Sequence, residues 1–356
     1  MSETATVLDT ATAAGAAEPR RRGRVWQRLR RNRAAMAALA VVALLVLFAL
    51  AAPLLSALEG QDPTTFHSDL VDSATGGVPT GSFGGVSADH WLGVEPGNGR
   101  DVFARLAHGA RVSLGVAVGA TLVQVALGTL VGLAAGLGNR LADTVLSRAM
   151  DLVIAFPELV FAIALMAIVP EGFPRPVLLM LVIGVLGWGA PARVVRAQVL
   201  SLRGLDYVAA ARLGGSGRWR VARREILPGL AAPVITFALL RLPVNVASEA
   251  GLSFLGVGVR PPSSSWGQML STATTWYETD PTYVLLPAGL LFVTVLAFTV
   301  LGDGLRTALD PRAASRLRAG TRRGNAAPRR AASAARPGAG VPAAAADAAT
   351  PPRTED

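Results

Sequence analysis

Residues 34–58 run for 25 positions without a charged side chain. In hydrocarbon a backbone must satisfy its own N–H and C=O groups, which a helix does. About 20 apolar residues cross a bilayer core, so this stretch predicts a first transmembrane helix. Five more candidates follow at 112–139, 150–170, 176–198, 229–255 and 282–301. The third is interrupted by Pro157 and Glu158, and the fourth ends in Arg193 and Arg196. A short turn is expected over 140–148, and a long polar, Gly-rich loop over 59–110. The expectation is an all-α membrane protein with six transmembrane helices.

An even number of spans places both ends on one side, and the arginines say which. All 34 basic residues are Arg, and 28 of them fall in 20–33, 140–148, 193–228 and 306–353. Positive residues accumulate in cytoplasmic loops, so both termini should be cytoplasmic and the 59–110 loop outside. The net charge of +10 then reflects cytoplasmic ends near anionic membrane lipid rather than nucleic acid. Residues 20–33, with eight Arg around Trp26, read as an interfacial lead-in. A signal peptide would have a shorter apolar core and a cleavage site. The organisation expected is a disordered tail over 1–21, a basic segment with the first span over 22–75, an extracytoplasmic loop over 76–108, a permease domain over 109–309 and a disordered tail over 310–356.

Composition also excludes chemistry. There is no Cys, and His67, His90 and His108 form no close ligand pair, so no metal site is expected. There is no Lys, and a P-loop needs one at the β- and γ-phosphates. A chain like this is not expected to be a standard P-loop ATPase, and its energy must come from a partner or a gradient.

The least typical stretch is DYVAAARLGGSGRWRVARREILP, residues 206–228, between two apolar spans. Asp206 is placed to cap a short helix over Tyr207, Ala209, Ala210 and Ala211. Gly214 and Gly215 would end it, because glycine accepts the left-handed cap conformation. A second short helix is expected over 219–226, and Pro228 suits the first turn of the next span. Five arginines (212, 218, 220, 223 and 224) put this elbow in the cytoplasm. Spacing alone favours a solvated basic loop.

The order of residues in the elbow resembles the coupling loop of ATP-binding-cassette importer permeases: Glu-Ala-Ala, three residues, Gly, nine residues, Ile, any residue, Leu-Pro. Ala210, Ala211, Gly215, Leu227 and Pro228 fall on that pattern, while Ala209 replaces its Glu and Glu225 its Ile. Three further segments resemble the dipeptide, oligopeptide and nickel permeases. These are His90, Leu92, Gly93 and Gly99–Val102 before the second span, EAGLSFLGVGVRPPSSSWGQML over 249–270, and LGDGLRTALDPR over 301–312. The approach to the elbow, 192–212, matches too.

The resemblance implies the type I (MetI-like) importer permease fold and the C-type subunit of a permease heterodimer. Its partners would be a second permease subunit, two ATPase subunits that bind ATP and Mg, and an extracytoplasmic substrate-binding protein. This chain would bind no cofactor itself. The short helix of the elbow would dock in a cleft on an ATPase. Cargoes in the family include dipeptides, oligopeptides, nickel chelates and glutathione-like compounds.

Charges inside apolar spans are costly and by default face a bundle interior or water. Glu158, Arg241 and Glu249 are therefore the candidates for the translocation path. Arg241 could bind a peptide carboxylate or pair with a carboxylate on a neighbouring helix. Glu249, eight residues on, is too far along the helix to pair with it and is expected near the outer interface. Arg100 and Asp101 read as structural, capping or pairing. Gly115, Gly119, Gly128, Gly132 and Gly136 recur in the second span at intervals that let backbones approach. Gly256, Gly258, Pro261 and Pro262 should end the fifth span irregularly, with Trp266 and Trp276 at the outer interface. An ion-coupled carrier would instead show inverted repeats with broken helices, and none is evident. A non-transporting scaffold or receptor would leave the elbow without a use.

Overall fold

The computed structural model describes residues 19–170 and 172–309. The disordered tails expected over 1–21 and 310–356 lie outside these residues, but for the first turn of a helix at 19–21. Helix α1 (Pro19–Arg31) carries the basic lead-in. It is followed by α2 (Arg33–Leu50), capped by the Asn32 side chain, and α3 (Ala52–Glu59), which ends on left-handed Gly60. A loop with one two-stranded ladder, β1 (Val71–Asp72) and β2 (Val78–Pro79), leads to α4 (Val102–Leu137). Then come α5 (Arg140–Ala155), α6 (Glu158–Ile168), α7 (Arg175–Leu186) and α8 (Gly189–Leu202). The elbow is α9 (Asp206–Leu213) and α10 (Arg218–Val221). It is followed by α11 (Leu227–Phe254), α12 (Trp266–Ala273) and α13 (Pro281–Leu309).

Four helical segments are long and apolar enough to cross a membrane: α2, α4, the run Arg218–Phe254 and α13. The pairs α5–α6 and α7–α8 raise the number to six if each is one bent span. One expectation changes here. The 140–148 turn is instead the first half of α5, because Asn139 caps it by accepting from the Ala142 N–H. The interruption expected at Pro157 and Glu158 is there and is sharp: α5 and α6 meet at 84°, where Pro157 lacks the N–H that would continue the helix.

The long helix α4 spans 36 residues, about 54 Å at 1.5 Å per residue. One of its faces is glycine. A Cβ on Gly128 would lie 2.7 Å from the Pro191 ring, and one on Gly132 2.5 Å from the Ala192 carbonyl. One on Gly136 would lie 2.5 Å from Val199. Glycine at these positions lets α8 lie directly on α4, as the spacing predicts. Gly119 meets Met180 on α7, whereas Gly115 faces open space and takes no part. Because α8 runs straight into the elbow, this seam fixes where the elbow begins.

Candidate functional site

The elbow is pinned by a small apolar cluster. Val208 on α9, Val221 on α10 and Ile226 pack with Val195 and Val199 of α8 and Leu230 of α11. Arg203 donates to the Gly136 carbonyl at 2.9 Å, tying the start of the elbow to the end of α4. Asp206 does not cap α9. Leu205 occupies the cap position, and Asp206 is the first helical residue, where its charge still favours the helix N-terminus. The other end behaves as expected. Gly215 has φ +79°, its N–H returns to the Arg212 carbonyl, and the Ser216 N–H returns to Ala211. That pair of bonds is the glycine-terminated closure that needs a left-handed residue.

The second elbow helix is shorter than expected. After α10 the chain widens into a π turn, Ala222–Ile226, in which the Leu227 N–H reaches the Ala222 carbonyl. Pro228 follows in the first turn of α11. Of the motif residues, Tyr207, Ala209, Ala210, Gly215, Leu227 and Pro228 are exposed. Ala211 is half-buried against the elbow's own cluster, so Ala210, not Ala211, presents the open face. Leu213 and Trp219 are 90% and 74% exposed. Beside α9, a cavity of about 320 Å³ is lined by Gly136, Arg203, Arg212, Ser216 and Arg218 among others.

At the opposite end of α4 the residues are packed closed. Asp101 caps α4 by accepting from the Ala104 N–H at 2.7 Å, and its other oxygen meets His90 Nδ1 at 2.8 Å. Arg100 pairs with Glu95 at 2.6 Å, so both residues are structural, as expected. Tyr283 donates to the other Glu95 oxygen at 2.7 Å, and Arg105 donates to Gln268 Oε1 at 2.7 Å. Glu95, Asp101 and Arg105 are fully buried.

The 249–270 segment locks onto this assembly. Gly256, at φ +77°, ends α11 with the same closure as Gly215: Gly256 N–H to Ser253 and Val257 N–H to Leu252. Ser265 caps α12. Trp266 is not interfacial. It is fully buried, its backbone N–H donates to Ser113 Oγ and its indole N–H to the Leu106 carbonyl. Gly267 next to it abuts the Ala250 backbone, where a Cβ would collide. Trp276 is half-buried and rests over Gly97. Glu249 is fully buried, with Ser253 Oγ donating to it at 2.8 Å and Ser113 and Ser265 beside it.

Arg241 and Glu158 come together. Arg241 Nη2 lies 3.2 and 3.4 Å from the two carboxylate oxygens. Glu249 stands apart from them, as the helical spacing requires. The sequence reading passed over the rest of this cluster. Arg241 Nε donates to Gln124 Oε1 at 3.2 Å, and Asn245 donates to Gln124 and to Thr121 at 3.1 and 2.8 Å. Gln124 is the sole amide side chain in α4 and Asn245 the sole one in α11. That was the available signal, and it was missed because neither residue is charged.

Residues 128–315, more than half of the chain, match the family model of the binding-protein-dependent transport system inner membrane component. Residues 21–70 match the N-terminal transmembrane domain of oligopeptide transport permease C. The chain is 34% identical to the dipeptide transport system permease protein DppC of Alkalihalophilus pseudofirmus, over 81% of this chain and 88% of that protein. It is 40% identical to the glutathione transport system permease protein GsiD of Pectobacterium atrosepticum, over 64% and 74%. It is also 34% identical to the di/tripeptide transport system permease protein DppC of Pseudomonas aeruginosa, over 81% and 91%. With its apolar helices and the elbow between them, the chain belongs to the binding-protein-dependent inner membrane components, the permease subunits of ATP-binding-cassette importers.

Proposed function

We propose that this chain is the C-type permease of a peptide importer of the bacterial inner membrane. It pairs with a second permease and is driven by two ATPase subunits that hold ATP and Mg. An extracytoplasmic binding protein delivers the cargo. The observation that carries this reading is the elbow: a short helix closed by left-handed Gly215, pinned from behind, with Tyr207, Ala210, Leu213 and Trp219 turned outward. Apolar side chains displayed on an otherwise basic, water-facing segment mark a contact surface. Counting each bent pair as one span gives six, with both termini cytoplasmic on the distribution of arginines. Peptide cargo rests on the dipeptide and di/tripeptide permeases among the relatives. Glutathione-type cargo is the second reading, favoured by the GsiD relative.

The test uses single cysteines, in a chain that has none. In cells expressing the whole importer, cysteine at Ala210 crosslinks to an ATPase subunit, and labelled dipeptide uptake requires this chain. Cysteine at Ser82 labels from outside and at Ser333 from inside. Full uptake with no crosslink from position 210 would reduce the elbow to a basic loop. Reversed labelling would overturn the topology.

A further inference from the structure

Midway along the bundle lies a polar cluster that coupling to an ATPase does not use. Its floor is closed. Thr121, Gln124 and Asn245 are buried and bonded to one another, and Gln124 Nε2 also donates to the Ile183 carbonyl on α7 at 3.1 Å. Its rim is open. The Arg241 side chain is 18% exposed and that of Glu158 35%. The two charges meet at 3.2 Å, a looser contact than the roughly 2.7–2.9 Å of a tight charge-assisted bond.

Three irregularities of the backbone converge on this rim. Glu158 is the first residue of α6, immediately after the 84° bend at Pro157. Gly187 ends α7 at the 43° bend into α8, and a Cβ there would lie 3.0 Å from Arg241 Nη2. Pro243 interrupts α11 between Arg241 and Asn245. At membrane depth, irregular backbone is tolerated where it is enclosed in protein or lines a water-filled cavity. Ionisable groups there mark a pathway.

We propose that Arg241 and Glu158 form an exchangeable ion pair that reads the two ends of a zwitterionic cargo. The substrate carboxylate takes the place of Glu158 on Arg241, and the substrate ammonium takes the place of Arg241 on Glu158. This assignment rests on the peptide-import reading. Charge decides the class of ligand. Opening the pair alone leaves two half-enclosed charges without fixed partners, which is costly where solvation is incomplete. A zwitterion satisfies both at once and leaves the net charge of the cluster unchanged. An anion or a cation alone would leave one of the two unpaired. An extended dipeptide is about 7 Å long at roughly 3.5 Å per residue, and with a charge-assisted bond of about 2.8 Å at each end it holds the two groups roughly 12–13 Å apart, against 3.2 Å in the closed pair. Because Glu158 follows directly on Pro157, a turn of α6 about that bend would carry it away without disturbing the amide floor.

The test compares alanyl-alanine, its N-acetyl derivative and its C-terminal amide as stimulants of ATP hydrolysis. It uses the complete importer in vesicles with saturating binding protein. Each variant is read against wild type with the same binding protein, so selection by that protein cancels. R241Q should reduce the preference for free dipeptide over the amide about tenfold or more, and leave the preference over the N-acetyl compound. E158Q should do the mirror image. Removing one partner can unfold a buried pair, so the neutral double variant R241Q/E158Q is included. It should reach the membrane and lose both preferences. Equal loss for all three compounds, or unchanged ratios, would overturn the assignment and leave the pair as a brace between α6 and α11. A wild-type importer that responds to none of the three would sink the peptide reading itself, and this assignment with it.

Discussion

The two ends of α4 use arginine in opposite ways. At the elbow, Arg212, Arg218, Arg220, Arg223 and Arg224 are all exposed, and among the described residues none makes an ion pair. At the other end Arg100 and Arg105 are buried and converge on Glu95, which Tyr283 also bonds. Buried charges persist only with fixed partners; exposed ones cost little and remain free to meet another subunit. The closed end therefore reads as the anchor of the bundle, and the elbow as the part left incomplete for a partner.

The largest effect should come from opening the closed end. Glu95→Gln leaves two buried guanidinium groups without their carboxylate, a loss of about 3–5 kcal/mol. Thermal unfolding in detergent should show a much lower midpoint, or the protein should fail to accumulate. Arg218→Gln at the elbow should stay within about 0.5 kcal/mol of wild type. Similar losses from both would end the contrast between anchored and displayed charge.

A matched pair of glycines sharpens the comparison. Gly215 and Gly256 carry the same closure at φ +79° and +77°, and neither has an atom within 4 Å of a added Cβ. Valine at either site meets the same backbone strain, about 1–2 kcal/mol. Their stability losses should be alike, yet Gly215→Val alone should separate ATP hydrolysis from uptake, because only it distorts the coupling surface. Ala210→Glu should lower uptake without a stability change, while Ala209→Glu, which restores the family residue, should be tolerated. If Gly256→Val uncouples as strongly, coupling does not reside in the elbow.

Much of this architecture was legible. Charge-free length marks the spans, and closely spaced glycines, Gly214 with Gly215 and Gly256 with Gly258, mark both left-handed helix ends. Asp101 and Arg100 were readable as cap and pair because they precede a long apolar run. What stayed hidden depends on tertiary contact. Trp266 looked interfacial because tryptophan favours that zone, but its backbone and indole N–H groups bond Ser113 and Leu106 of α4, while Gly267 beside it fits against Ala250 of α11. The 140–148 segment looked like a turn because of its arginines, yet Asp143 pairs with Arg196 across to α8, and an amphipathic helix satisfies both. The bend at Gly187 has no proline to announce it. The Gln124–Asn245 floor needs two helices to meet before its amides have partners.

The smallest predicted effect concerns how the closed end holds the first helical segment. Glu59, the last residue of α3, accepts from the Trp91 N–H at 2.8 Å, so α3 is tied to the loop that leads into α4. Burial, with the Asp101 carboxylate nearby, raises the Glu59 pKa from 4.5 to about 7, despite the Trp91 bond and His90, which act the other way. His67 meets His90 edge-to-face at 5.0 Å. A raised carboxyl pKa means that the folded protein binds this proton more tightly than the unfolded chain. The contribution to stability is therefore present in full below about pH 4.5. It declines as pH rises towards 7 and is flat beyond. Glu59→Gln keeps the acceptor for Trp91 and removes the titration. The difference in unfolding midpoint between wild type and variant should shift against the wild type from pH 5 to pH 7.5. A difference that stays constant across that range would mean that Glu59 is solvated, and that the closed end does not extend to α3.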